Sequence, residues 1–230
     1  MKLYIDCTGG VSGDMILKGL IRLGGSAEAA QKMELPQECS HESGQKAGGG
    51  TAHHSHHSHR SHSEIRSLIE RSSLDEKVKE TALSIYRVIA QAEAKVHGSD
   101  EENVHFHEVG RPEAIRNIAG TAAALESLGI DEIFCSEIHD GTGTIICSHG
   151  EIPVPVPAVA AMMETCNYRF VSEEIETEMV TPSGLGILIG IGARPAEEMP
   201  PGKIVKTVVV KGGRDTGKEG MKISLIESEQ

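Results

Sequence analysis

A helical apolar stripe over residues 76–98 constrains the fold of this chain more than any other feature. Apolar residues recur there at alternating spacings of four and three, the period of one helix face: Val78, Ala82, Ile85, Ile89, Ala92 and Val96. The segment 73–76 has the pattern of a capping box, and Gly98 is the residue type that commonly follows a helix. The sequence therefore predicts one long amphipathic helix that buries its apolar face.

The other periodic segments predict an α+β fold, with a mixed β-sheet packed against several helices. Helices are expected over 13–24, from Pro112, over 158–165 and from Thr181, and strands over 2–5, 132–138, 144–147, 203–210 and 221–226. Strands and helices do not alternate strictly, which favours a mixed sheet over a parallel one. The 230 residues suffice for a single domain with a proper core. Aromatic residues make up only 3% of the chain, so that core is expected to be mainly aliphatic.

Composition argues against several classes of partner. The net charge of −12 disfavours nucleic acid. The five cysteines include no C-x-x-C pair, which indicates reduced thiols and a cytoplasmic location. The amino terminus reaches Asp6 without the apolar run of a signal peptide. No apolar stretch approaches about eighteen residues, so no membrane-spanning helix is expected.

The run His105-Phe106-His107-Glu108 is the strongest candidate for a functional site. Strand side chains alternate, so an extended segment would place both imidazoles on one face and Phe106 toward a core. Glu108 can join them as a ligand or base, because the following Val-Gly-Arg-Pro breaks a strand. Glu113 follows on the next predicted helix. Together they suggest a site for Ni, Zn, Fe or Mn. The alternative is one histidine packed in a core and one in solvent.

A second histidine cluster occupies residues 53–62, within a segment of about 38–62 that lacks periodicity and is expected to be a flexible, disordered loop. Neutral imidazoles bind Ni, Cu and Zn, which predicts metal capture by His53, His54, His56, His57 and His59. The alternative is a solvated linker. His149, in a turn before a proline-rich run, is a further candidate for a functional role, since loops on rigid strands often carry one.

Two predicted helix starts have small residues and exposed amides. One is Ser12-Gly13-Asp14, and the other runs from Thr181 through Ser183 and Gly184. Helix amino termini attract phosphate and carboxylate groups, so an anionic ligand is expected. Ordinary helix capping is the alternative for each start taken singly.

Several motifs follow one another along nearly the whole chain. They are Asp6-Cys7-Thr8-Gly9-Gly10-Val11-Ser12-Gly13-Asp14-Met15, the His-rich segment, Val104-His105-Phe106-His107-Glu108-Val109-Gly110, Gly141-Thr142-Gly143, His149-Gly150-Glu151-Ile152-Pro153-Val154-Pro155-Val156-Pro157-Ala158 and Glu178-Met179-Val180-Thr181-Pro182-Ser183-Gly184. In this order they resemble the LarC family, the nickel insertion proteins of the nickel-pincer nucleotide cofactor.

The resemblance implies a nickel chelatase or cyclometallase of the lyase class. The family inserts nickel into pyridinium-3,5-bisthiocarboxylic acid mononucleotide, with CTP and Mn or Mg, and forms one nickel–carbon and two nickel–sulfur bonds. The product serves lactate racemase-type apoenzymes. The resemblance implies that the loop histidines gather nickel and that His105 and His107 hold it beside Glu108. It further implies a catalytic role for His149, and mononucleotide contacts at both helix starts and at Gly141 and Gly143.

The chain also departs from the family pattern. Asn117 stands where the family usually has an acidic residue, which weakens a metal site there. Typical members continue into a C-terminal nucleotide-binding domain, whereas this chain stops at Gln230. Three explanations are open: a separate polypeptide supplies that part, the sequence is a piece of a longer protein, or this member does not complete the chemistry alone. A homo-oligomer is expected. Two other functions remain open: a nickel storage or delivery protein, and a hydrolase that uses a metal-bound water.

Overall fold

The computed structural model describes residues 1–35, 60–147 and 150–228. The strands of these segments are β1 (Lys2–Cys7), β2 (Arg60–Ser61), β3 (His105–Phe106), β4 (Glu132–Asp140), β5 (Thr144–Cys147), β6 (Gly150–Pro153), β7 (Phe170–Ser172), β8 (Arg194–Pro195), β9 (Lys203–Val210) and β10 (Met221–Glu227). The helices are α1 (Gly13–Leu23), α2 (Glu28–Gln31), α3 (His62–Arg71), α4 (Glu76–His97), α5 (Pro112–Ser127), α6 (Pro157–Met163) and α7 (Pro182–Gly190), with a short 3₁₀ turn at Glu101–Asn103.

The main sheet is mixed, as the sequence predicts. Its strand order is β7-β4-β1-β10-β9, and β8 also pairs with β4. Strand β1 is parallel to β4 and antiparallel to β10, while β9 and β10 form an antiparallel edge pair. Two small antiparallel pairs, β2 with β3 and β5 with β6, lie outside this sheet. The α+β class is therefore confirmed.

Helix α4 is the centre of the helical layer, and it confirms the predicted apolar stripe from Val78 to Ala92, whereas Val96 is 39% exposed. It packs against α3, α5, α6 and α7, while α1 packs against α5, α7 and the strands β9 and β10. Its buried side chains include Val78, Ala82, Ile85 and Ile89, and Gly98 ends it in the left-handed conformation at φ 62°. The helix thus holds the other helices together through one continuous apolar face.

The predicted start of α4 and the predicted end of the flexible segment are both wrong. Helix α4 begins at Glu76 after Asp75, without a side-chain capping bond, so the capping box predicted over 73–76 does not form. A capping box exists instead at Ser61 and Glu64, at the start of α3. Residues 60–62 therefore belong to the ordered fold rather than to the predicted flexible insertion, whose residues 38–59 lie outside the described part.

The starts of α1 and α7 lie side by side, and Gly184 is needed at their contact. A Cβ atom on Gly184 would lie 2.4 Å from the carbonyl oxygen of Val11 and 2.8 Å from the Cα of Ser12. Backbone atoms cannot move aside as a flexible side chain can. Small size at position 184 is therefore what lets the two helix starts approach.

Gly184→Ala should lower the free energy of unfolding by about 1–3 kcal/mol through overpacking. Helix propensity alone predicts the opposite sign, because alanine is about 1 kcal/mol more favourable than glycine within a helix. Urea denaturation of the variant decides between the two. Gly213→Ala is the matched control, since a Cβ there meets nothing within 4 Å. Unchanged or greater stability of Gly184→Ala would contradict the close approach.

Candidate functional site

The segment that carries His105 and His107 is a short strand followed by a turn. Strand β3 ends at Phe106, whose fully buried ring packs 5.8 Å from that of Tyr86. The turn is held from both sides: the Tyr86 hydroxyl donates to the Val109 carbonyl at 3.0 Å, and Arg60 donates to the Gly110 carbonyl at 2.8 Å. Phe106 faces the core as expected, but the two histidines do not share one strand.

The predicted metal ligands separate as a result. His105 is exposed and pairs with Ser61 across the β2–β3 ladder. His107 lies past the strand end, where its ring centroid is 6.1 Å from that of His97. Placing both imidazoles on one strand face is therefore wrong, because the chain turns after Phe106.

The acidic members of the predicted set also diverge. The carboxylate of Glu108 forms an exposed ion pair with Arg111 at 2.9 Å, and Glu113 is exposed on α5. Within residues 1–35, 60–147 and 150–228, no three His, Cys, Asp or Glu side chains are grouped so that they could hold a metal ion. Metal binding by His105, Glu108 and Glu113 stays a prediction.

An apolar cleft of about 620 Å³ lies beside this turn. Its aliphatic wall comes from the end of α4, the β5–β6 pair and the start of α6: Val96, Ile145, Ile146, Ile152, Val156, Pro157 and Ala158. Polar groups stand around this wall, namely Glu93, His97, His107, Glu108, Cys147, Glu178, Thr181, Ser183 and Arg214. The predicted His107 and Glu108 thus lie at one cleft with groups from distant parts of the chain, whereas His105 and Glu113 do not line it.

The two predicted helix starts meet at the other side of the same region. A parallel bridge joins Val11 to Val180: the Val11 amide donates to Met179 at 2.9 Å and the Thr181 amide donates to Val11 at 3.1 Å. Ser12 Oγ accepts from Met15 N at 3.2 Å, and Thr181 Oγ1 accepts from Gly184 N at 3.1 Å. Both predicted caps are confirmed, and the fold brings their helix amino termini together.

A polar cleft of about 360 Å³ lies at these helix starts. Ser12 and Thr181 line one side, and the β9–β10 loop, residues 211–220, contributes Lys211, Arg214 and Lys218 on the other. Amino-terminal amides and cationic side chains both favour an anion. Arg214 forms an ion pair with Glu178, and Lys218 forms one with Glu173 at 2.8 Å.

The ion pair between Glu178 and Arg214 lies where the two clefts join. Both residues and Thr181 line both clefts. Glu178 is only 7% exposed, and burial raises the pKa of its carboxyl, whereas the Arg214 guanidinium opposes that shift. The nearby Asp140 carboxylate raises the pKa of Glu178 further.

A family model described as nickel insertion protein matches residues 3–229. The chain belongs to that nickel insertion protein family.

The relatives of this nickel insertion family member bear out the resemblance to LarC. Proteins named pyridinium-3,5-bisthiocarboxylic acid mononucleotide nickel insertion protein from Acetivibrio thermocellus and Akkermansia muciniphila are 39% and 36% identical to it. The alignments cover 94% and 99% of this chain but 58% and 61% of those proteins. A protein of the same name from Geobacillus kaustophilus is 40% identical over 81% of this chain and 50% of its own length. The chain thus spans half to about three fifths of these curated relatives.

No solved structure matches this member of the nickel insertion family. Among the helices that the structure describes, none has the length and apolar character needed to cross a membrane. His53, His54, His56, His57, His59 and His149, to which the sequence assigns metal-binding or catalytic roles, lie outside the described residues.

Other residues predicted to contact the mononucleotide make structural contacts in this nickel insertion protein. Asp14 forms a partly exposed ion pair with Lys18 at 2.7 Å, and Gly13 packs against Ser183. Gly141 lets the backbone at Thr177 approach closely, because a Cβ at position 141 would lie 1.9 Å from the Thr177 carbonyl oxygen. Neither Gly141 nor Gly143 lines either of the two joined clefts. Mononucleotide binding by these residues stays a prediction.

Asp140 is a buried residue that the sequence analysis missed. Its Oδ1 accepts from the amides of Gly141, Met179 and Val180 at 2.8, 2.9 and 3.0 Å, and the residue is only 3% exposed. Its Oδ2 has no hydrogen-bond partner within the described residues. Asp140 thus fastens the end of β4 to the segment that precedes α7 and orients Thr181.

Asp140→Ala should lower the free energy of unfolding by about 2–4 kcal/mol, because three buried amides lose their acceptor. Asp140→Asn keeps an oxygen at Oδ1 and should cost less. Chemical denaturation at neutral pH measures both variants. An alanine variant as stable as the asparagine variant would contradict the fastening role.

The pH dependence of stability in the wild type and in Asp140→Asn tests whether Asp140 is a buried carboxyl with a raised pKa. Burial raises the pKa of this carboxyl above its ordinary value, although the three amide bonds oppose the shift. A carboxyl whose folded pKa is raised contributes its stability fully below the unfolded value of about 3.9, and loses it as pH rises through the folded pKa. Asp140→Asn should therefore gain stability relative to the wild type as pH rises above about 4. A difference independent of pH would contradict this account.

Proposed function

We propose that the chain performs the substrate-binding and metal-handling part of nickel insertion into pyridinium-3,5-bisthiocarboxylic acid mononucleotide. The observation that carries the proposal is the junction of a polar cleft at two helix amino termini with an apolar cleft that has imidazoles at its edge. A mononucleotide has the same division, with a phosphate at one end and an aromatic ring at the other.

The polar cleft would receive the phosphate. Ser12 and Thr181 begin helices of 11 and 9 residues, whose amino-terminal amides and dipoles favour an anion. Arg214 lies at the junction of the clefts and offers a planar guanidinium that binds phosphate oxygens in pairs. A phosphate there would compete with Glu178 for this guanidinium.

The apolar cleft would receive the pyridinium ring. Ile145, Ile152 and Val156 provide an aliphatic wall suited to an aromatic face. The reaction replaces the ring hydrogen between the two thiocarboxylates by nickel, so a base must accept a proton while both sulfurs bind the metal. Glu108 lines this cleft and is the proposed ligand or base, and His149 is a second proposed catalytic group.

Nickel would reach the cleft from the His-rich segment. The five histidines at 53, 54, 56, 57 and 59 precede Arg60, which pairs with Phe106 and donates to the Gly110 carbonyl. The residue that follows the last of these histidines is thus fixed against the turn that carries His107. Capture by these histidines and transfer to the cleft is the proposed route.

The rest of the reaction is proposed from the family alone. CTP with Mn or Mg would act through the C-terminal nucleotide-binding domain of the family, here called the C-terminal polypeptide, and a lactate racemase-type apoenzyme would receive the product. Chelatase activity of the lyase class, a cytoplasmic location and a homo-oligomer belong to the same proposal.

Anaerobic reconstitution tests the function. The chain, the C-terminal polypeptide, the mononucleotide precursor, Ni²⁺, CTP and Mn²⁺ should together yield nickel–carbon product and activate a racemase apoenzyme. Replacement of the histidines at 53, 54, 56, 57 and 59 by serine should reduce product at limiting nickel and spare it at saturating nickel. A storage protein would bind nickel without forming product, and a hydrolase would cleave simple phosphoesters without CTP or precursor; either result would reject the proposal.

Arg214→Gln should weaken binding of the mononucleotide by about tenfold or more, because it loses charge-assisted hydrogen bonds to phosphate. Calorimetric titration of the precursor measures the change. The double variant Arg214→Gln with Glu178→Gln removes the unpaired buried carboxylate as well, and the weakening should persist there. Arg169→Gln is the control, since Arg169 is exposed and pairs with Glu137 at 3.3 Å, away from both clefts. Normal affinity in the double variant would contradict the phosphate assignment.

A further inference from the structure

We infer that His97 and His107 form a two-imidazole site that holds Ni²⁺ at the mouth of the apolar cleft. The inference deepens the proposed function and rests on it for the role of the metal. His97 is the last residue of α4, and His107 follows β3. Both line the cleft, and the side chain of His97 is 37% exposed, so an ion can reach it from solvent.

The separation of the two rings fits one shared metal ion. A nitrogen bound to a divalent metal at about 2.1 Å puts the centroid of its ring about 3.2 Å from the metal. Two such rings can therefore be at most about 6.4 Å apart. The centroids of His97 and His107 are 6.1 Å apart, with planes inclined at 48°. This separation is slightly below the limit, which corresponds to two nitrogens on nearly opposite sides of the metal.

The surroundings of His97 favour a cation. The residue lies in the last turn of a 22-residue helix, where the helix dipole presents partial negative charge. Glu93, one turn earlier, places Oε2 at 3.5 Å from Nε2 of His97. A carboxylate beside a metal-binding histidine typically orients its ring and accepts from the nitrogen that does not bind metal.

Both imidazoles are attached to one rigid unit. Tyr86 belongs to α4, the helix that ends at His97, and its hydroxyl holds the Val109 carbonyl of the turn that carries His107. Tyr86 also packs against Phe106, directly before His107. The backbone positions of the two histidines are therefore set by buried contacts.

A site with two protein ligands suits a metal that is cargo. Within the described residues, no third His, Cys, Asp or Glu side chain is grouped with the two imidazoles. Divalent nickel accepts tetragonal geometry. Two opposed imidazoles would leave its plane for the two sulfurs and the ring carbon of the substrate, which bind in one plane.

Titration of nickel alone tests the site. The full chain with five loop histidines replaced by serine (His53, His54, His56, His57 and His59) removes competing sites. It should bind one Ni²⁺ by calorimetry, and X-ray absorption should count two imidazoles on the metal. His97→Ala and His107→Ala should each weaken binding by about 10-fold or more and leave one imidazole.

His105→Ala separates this site from the set that the sequence suggests, because His105 lies outside the cleft. It should keep the affinity of its parent within about twofold and both imidazoles. Unfolding curves check that every variant is folded. An unchanged dissociation constant in His97→Ala, or a loss in His105→Ala equal to that in His107→Ala, would overturn the inference. If the parent binds nickel through both imidazoles yet forms no product under reconstitution, the proposed function fails while the nickel site stands.

Discussion

The contact between Val11 and the segment 179–181 decides where the functional groups of this protein lie. Residues far apart in sequence are joined there by two backbone hydrogen bonds, of 2.9 and 3.1 Å, which set the starts of α1 and α7 side by side. Each helix start alone would be an ordinary cap. Together they place two sets of amides and two dipoles at one cleft. Asp140 supports this contact by accepting hydrogen bonds from two of its amides, and the small Gly184 permits it by allowing close backbone packing.

In the ion pair between Glu178 and Arg214, the carboxylate is buried, whereas the arginine side chain is 46% exposed. Glu178 is almost fully buried beside a second carboxylate, Asp140, and burial works against charge on both. The pKa of Glu178 stays raised despite the guanidinium beside it, so stability alone does not account for this ion pair. Its position at the junction of two clefts suggests a functional reason instead. It ties the cationic β9–β10 loop to the start of α7 and keeps a guanidinium at the helix termini.

The sequence predicted features that depend on local periodicity. The stripe of α4, the caps at Ser12 and Thr181, and the helix from Pro112 all follow from residues within a few turns of one another. These elements needed no knowledge of the rest of the chain.

Features that depend on long-range packing were not predictable. Alternation of strand side chains placed His105 with His107, but β3 is only two residues long and His107 lies beyond its end. His97 looked like an ordinary helix end, and only the packing of α4 against the turn at Val109 brings it to His107. Arg214 gave one weak signal, a glycine- and lysine-rich stretch between two strands. Its partner Glu178 lies 36 residues away.

The separation of His105 from His107 changes how metal selectivity can arise in this protein. A preformed set of three or four ligands would bind divalent metals in their general order of affinity, with copper above nickel and zinc. Two imidazoles alone discriminate little, so they cannot select nickel by themselves. Discrimination must then come from the donors that complete the coordination, and planar sulfur and carbon donors favour a metal that accepts tetragonal geometry. Under the proposed function, the substrate would select the metal, and the protein would fix the distance and orientation at which the two meet.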